Sequence, residues 1–68
     1  MTFKELLKSK DMTASRLSRK IGKSEYTVYG WVHGRNYPKS ANTIQAVAEA
    51  LEETPEKVID CLLESRKK

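Results

Sequence analysis

Between positions 22 and 40, this 68-residue chain gathers side chains that hydrogen-bond and carry charge, with no nucleophile–base set among them that spells covalent catalysis. Wound on a helix at 100° per residue, Glu25, Tyr26, Tyr29, Gly30 and His33 fall on one side, with Val28, Trp31 and Val32 on the other. Two uses stand open for Glu25: accepting a hydrogen bond from a cytosine amino group, or stabilising the positive end of its own helix. Tyr26 and Tyr29 can reach thymine methyls or phosphates, or form an aromatic patch for a protein partner. His33 can donate to a phosphate or simply face solvent. Gly30 costs a helix about 1 kcal/mol relative to alanine, so it marks either close approach to a groove or a local packing need. Arg35 and Lys39 flank a loop and suit phosphate oxygens. Arg16, Arg19, Lys20 and Lys23 supply one or two further candidates among solvated neighbours.

Catalytic and metal chemistry find no footing. His33 is the sole histidine and Cys61 the sole cysteine, so neither an internal disulfide nor a zinc set can form. There is no paired-carboxylate site, nucleophilic triad or phosphate-cradling glycine loop. An enzyme, a cofactor, a metal and a small-molecule ligand are therefore not expected, and Cys61 reads as structural or partly exposed. A lone cysteine fits a reducing cytoplasm. The opening MTFKELLKSK lacks the apolar run of a signal peptide, and no segment approaches the roughly 18 apolar residues of a membrane span.

Charge is unevenly spread. Residues 1–40 hold nine Lys/Arg against Glu5, Asp11 and Glu25, a net +6. Residues 41–64 hold six acids against Lys57, a net −5, and Arg66, Lys67 and Lys68 follow. A basic half is what a polyanion-facing surface requires, although a solvated charged surface is the plainer reading.

These residues need elements to place them. The pattern predicts one all-α domain over residues 1–68. Thr2 and Glu5 have capping-box spacing ahead of Phe3, Leu6 and Leu7. Thr13 caps a second helix with Ala14, Leu17 and Ile21 inward, ended by Gly22. Ser24 caps a third, closed by Gly34, so two helices over about 13–22 and 24–33 meet across Gly22-Lys23-Ser24. That turn is too short for antiparallel packing, and the second helix must cross the first and project. Such a helix fits the DNA major groove, its N-terminal residues reaching base edges first. Ser40 is expected to cap a fourth helix with Ala41, Ile44, Val47, Ala48 and Leu51 inward. Thr54-Pro55 opens a fifth, whose broad face of Val58, Ile59, Leu62 and Leu63 either packs wholly on the other helices or leaves a remainder exposed for association. Residues 65–68 are expected to fray.

Met12-Thr13, Leu17, Ile21-Gly22, Ser24, Thr27-Val28, Gly34, Pro38 and the Ala48-x-Ala50-Leu51 ending together resemble the helix-turn-helix domains of phage-repressor-like (Xre-type) regulators. The resemblance implies a compact five-helix lambda-repressor-like DNA-binding fold, a homodimer on a near-palindromic site in double-stranded DNA, and transcriptional control, with repression the expected sense. Carried over by position, it puts Ser24, Glu25, Tyr26, Tyr29 and Gly30 against bases and Thr13, Ala14, His33 and Lys39 near phosphates, with Lys23 and Arg35 beside them. Val58, Ile59 and Leu62 would form the dimer contact. The chain departs from that family's pattern at Ala14, where a polar residue is common. It departs again at Val32, where an apolar pair with Leu7 takes the place of an ion pair. A protein–protein adaptor, or an antitoxin on the same fold, is the competing reading, suggested by the acidic fourth and fifth helices and the tyrosines.

Overall fold

The computed structural model describes residues 1–66, which form five helices and, among the described residues, no strand. They are α1 (Phe3–Ser9), α2 (Ala14–Ile21), α3 (Glu25–Val32), α4 (Ala41–Leu51) and α5 (Pro55–Arg66). Four of the five begin as their capping residues dictate. The Glu5 N–H donates to Thr2 Oγ1 at 3.3 Å while the Thr2 N–H donates to Glu5 Oε1 at 2.8 Å, completing the capping box. Thr13, Ser24 and Thr54 each accept from the backbone N–H three residues on, at 3.1 to 3.2 Å. Ser40 departs from expectation, because its side chain makes no capping bond to α4.

The first four helices end alike. Each closes on a left-handed residue, with the following N–H reaching back to a carbonyl five positions earlier: Met12 to Leu7, Lys23 to Ser18, Arg35 to Gly30 and Glu53 to Ala48, at 2.9 to 3.0 Å. The left-handed residues are Asp11, Gly22, Gly34 and Glu52, with φ of 54°, 74°, 76° and 56°. Glycine adopts that conformation freely. Asp11 and Glu52 carry a Cβ that opposes it, at about 1–2 kcal/mol each.

One core joins all five helices: Phe3, Leu6 and Leu7 from α1, Leu17 from α2, Val28 and Trp31 from α3, Val47, Ala48 and Leu51 from α4, and Val58, Cys61 and Leu62 from α5. Leu7 is buried and Val32 packs against the same cluster, so both members of the anticipated apolar pair serve the core. Two expected dimer contacts, Val58 and Leu62, are buried within the chain and offer nothing to a partner. Their burial follows from α5 packing on α1, α3 and α4 together. Ile59 and Leu63 alone of that face stay open, at 39% and 45% exposure.

The end of α5 also departs from expectation. Residues 65 and 66 belong to the helix rather than a frayed tail, and residues 67 and 68 lie outside the described residues. Ser65 is buried, accepting from the Phe3 N–H at 2.8 Å and donating to the Cys61 carbonyl at 3.1 Å. Phe3 in turn sets its ring edge-on to Trp31, with centroids 6.4 Å apart and planes at 73°. A Cβ on Gly34 would lie 2.5 Å from the Ser65 carbonyl oxygen. Arg66 places its guanidinium 4.6 Å from the centroid of the Tyr37 ring. The last turn of α5 therefore braces the start of α1, the end of α3 and the loop after it. On the far side, Lys10 pairs with Glu53 at 2.9 Å and its hydrogen bond holds that carboxyl below its usual range. The link is complete above the ordinary carboxylate pKa and fades as pH falls through the lowered value.

Two stability predictions follow from the helix ends and from Ser65. Gly22→Ala, whose Cβ would meet nothing, should cost about 1 kcal/mol from the left-handed backbone alone. Gly34→Ala should cost clearly more, because the Ser65 backbone cannot yield, whereas Glu52→Gly should raise the melting temperature. Ser65→Ala should cost about 1–3 kcal/mol by leaving the Phe3 N–H buried without a partner. Thermal melts of the four variants check the ranking, and equal losses at the two glycines would refute the account of Gly34.

Candidate nucleic-acid interface

Helices α2 and α3 pack on each other across Gly22-Lys23-Ser24. Leu17 on one and Val28 and Trp31 on the other lie in the shared core. With that face spent, Glu25, Tyr26 and Tyr29 stand exposed on α3 and His33 at its C-cap, and Tyr26 reaches 78% exposure. Tyr29 and His33, one turn apart, stack with ring planes 1° from parallel and centroids 5.4 Å apart. Arg35 folds back from the loop, its guanidinium 6.0 Å from the Tyr26 ring centroid. Glu25 sits in the first turn, where the helix dipole favours a carboxylate. The outer face is thus aromatic and hydrogen-bonding, with one acid at its start and one cation over its first tyrosine.

Gly30 is not part of that open face. It is buried, and a Cβ there would collide with the Asn36 carboxamide. The packing explanation of this glycine holds, and the expected direct approach of Gly30 to a base does not match its surroundings. The N–H groups of Arg35 and Asn36 both donate to the Gly30 carbonyl, at 2.9 and 3.4 Å, which pins the loop to the helix.

The expected phosphate-facing residues divide. Lys23 and Lys39 share a groove of about 420 Å³ with Thr27, Asn36, Ser40 and Thr43. His33 borders a different groove, with Thr2, Lys4, Val32 and Ser65. Thr13 is exposed, but its hydroxyl already accepts from the Arg16 N–H. Ala14 is half-buried and packs against the core, so it has no side chain to offer a phosphate. Arg16 and Arg19 are tethered to the Asp11 carbonyl and the Ser15 hydroxyl, each at 3.3 Å. Sequence reasoning missed the start of α4. Because Ser40 does not cap, the N–H groups of Ala41, Asn42 and Thr43 have no partner among the described residues, and Ser40 and Thr43 line the groove with Lys23 and Lys39. Unpaired N–H groups at a helix start favour an anion. The signal available was weak: Lys39 directly ahead of a serine that could cap but does not.

Helix α4 separates the two signs of charge. Its start adjoins Lys39, and its far end adjoins Glu49, Glu52 and Glu53, about 16 Å away for 11 residues at 1.5 Å rise. Carboxylates at that distance, beyond a physiological Debye length, do little to offset the lysines of the groove.

Comparison with known proteins agrees with this geometry. The family model of the Cro/C1-type HTH DNA-binding domain matches residues 2–62. No curated protein and no solved structure matches the chain.

Among the described residues no group of His, Cys, Asp and Glu could hold a metal ion, and no helix is long and apolar enough to cross a membrane. Cys61, read as structural or partly exposed, is buried, and that burial pushes its thiol pKa up. The thiol form is favoured in the fold, so stability should fall as pH climbs from the ordinary thiol range toward the raised value. Iodoacetamide should accordingly label the folded protein slowly and the denatured protein at the rate of a free thiol. Equal rates in the two states would contradict the burial of Cys61.

Proposed function

Because the chain belongs to the Cro/C1-type HTH DNA-binding family, we propose that it is a sequence-specific transcriptional repressor that lays α3 in the major groove of double-stranded DNA. The observation that carries this reading is the exposed outer face of α3 beside a groove lined by Lys23, Lys39 and the uncapped start of α4 at Ser40 and Thr43. Ser24, Glu25, Tyr26 and Tyr29 are the helix residues proposed to meet base edges. Glu25 accepts from a cytosine amino group and the tyrosines contact thymine methyls. Lys23, Arg35, Lys39, His33 and the starts of α2 and α4 hold phosphates, which position the protein without reading sequence.

The protein acts as a homodimer in this reading. Ile59 and Leu63, one turn apart on α5, are the apolar residues left for the contact once Val58 and Leu62 are assigned to the core. Two-fold symmetry would place two copies of α3 in successive major grooves about 34 Å apart, on a near-palindrome with half-site centres roughly 10 base pairs apart.

Selection from random duplex DNA at two salt concentrations tests the proposal. A symmetric motif should be enriched, with log K falling linearly against log salt. Lys39→Ala should weaken all sequences alike and reduce the salt slope by about 1, while Tyr29→Ala should change the motif. Moving the half-sites apart by about five base pairs should abolish most of the affinity. Full affinity at every spacing, with one protein per half-site, would replace the dimer by independent monomers.

A further inference from the structure

We propose that Asn36, a residue of the loop after α3, is a base-reading side chain that this fold inserts among those of the helix, in the space left by Gly30. The inference rests on the reading of α3 as the helix that enters the major groove.

Gly30 lies on α3 one turn after Tyr26, beside the exposed face, and a glycine inside a helix is unfavourable unless something uses the missing side chain. Here the Asn36 carboxamide uses it. A Cβ at Gly30 would overlap Asn36 Oδ1 and come within 3.0 Å of its Cγ and 3.2 Å of its Nδ2. The side chain of Asn36 thus lies where a residue of α3 would otherwise project. Its backbone is fixed there, because the N–H groups of Arg35 and Asn36 share the Gly30 carbonyl. The neighbouring Gly34, at φ 76°, sets the turn that brings the loop back.

The carboxamide is exposed and its Oδ1 rests against Gly30, so reading a base takes a turn of the amide about its last torsion. Asn36 remains exposed, and its side chain makes no hydrogen bond among the described residues. It presents two donors and an acceptor on a pre-positioned loop, next to Thr27 and Lys39 along the groove. An asparagine amide offered this way matches adenine in the major groove, donating to N7 and accepting from the N6 amino group.

Selection from random duplex DNA is run with the wild type, Asn36→Asp, Gly30→Ala and the double variant. Wild type should prefer adenine at one motif position, by roughly tenfold or more over other bases. Asn36→Asp keeps the shape but only accepts, so the preference at that position should move to cytosine, with the rest of the motif unchanged. Gly30→Ala displaces the amide, whose flexible end is all the new methyl meets, and should flatten the same position without lowering the melting temperature. In that background Asn36→Asp should add nothing further. Motifs identical to wild type in both single variants, or a loss spread evenly over all sequences, would overturn the inference and leave Asn36 as packing. Absence of any motif with the wild type would instead overturn the functional reading on which it stands.

Discussion

A single buried hydroxyl, Ser65 Oγ, joins two ends of the fold, and the position of α3 depends on the junction it makes. The oxygen receives the Phe3 N–H and gives its own hydrogen to the Cys61 carbonyl, so no polar group there is left unpaired. Phe3 is thereby held edge-on to Trp31, the largest buried side chain of α3. The Ser65 carbonyl meanwhile lies so close to Gly34 that no other residue fits without backbone movement. Truncating Phe3 would remove about 3–5 kcal/mol, which equals the whole stability that a core of this size usually supplies. The helix proposed to face DNA thus owes its placement to elements remote from it in sequence.

The helices themselves were legible from local chemistry. Thr2, Thr13, Ser24 and Thr54 cap as their spacing suggests, since a cap needs only residues within three positions. Gly22 and Gly34 were readable for the same reason. Asp11 and Glu52 were not, because nothing about a carboxylate announces a positive φ, and the surrounding packing imposes it. The exposed side chains of α3 followed from periodicity, yet Gly30 did not. Its environment is set by Asn36, and a helical wheel contains no loop residues. For α5 the wheel found the apolar face but could not apportion it. Val58 and Leu62 went to the core, while Ile59 and Leu63 did not, according to where α1, α3 and α4 happen to end. Ser65 was illegible because its partner stands 62 positions away.

Charge and backbone polarity reinforce one another around α4. Its start combines unpaired N–H groups with Lys39, and its end combines helix carbonyls with Glu49 and Glu52. The dipole of the helix and its flanking side chains therefore point the same way. A molecule built so has a preferred orientation in the field of any polyanion, with the groove beside α3 leading and α5 trailing. Orientation of this kind raises the rate of productive encounter more than it raises affinity.

The bond between Ser65 and Phe3 also bears on biosynthesis. Local helices can form as soon as their residues leave the ribosome, but the Phe3 N–H cannot meet its Ser65 oxygen until residue 65 has been made and has emerged. Until then Phe3 and Trp31 lack the cover of α5, and the nascent chain exposes the apolar surface that the finished domain conceals. A message truncated or stalled within the codons for α5 would yield not a weakened domain but an unfinished one, open to proteases.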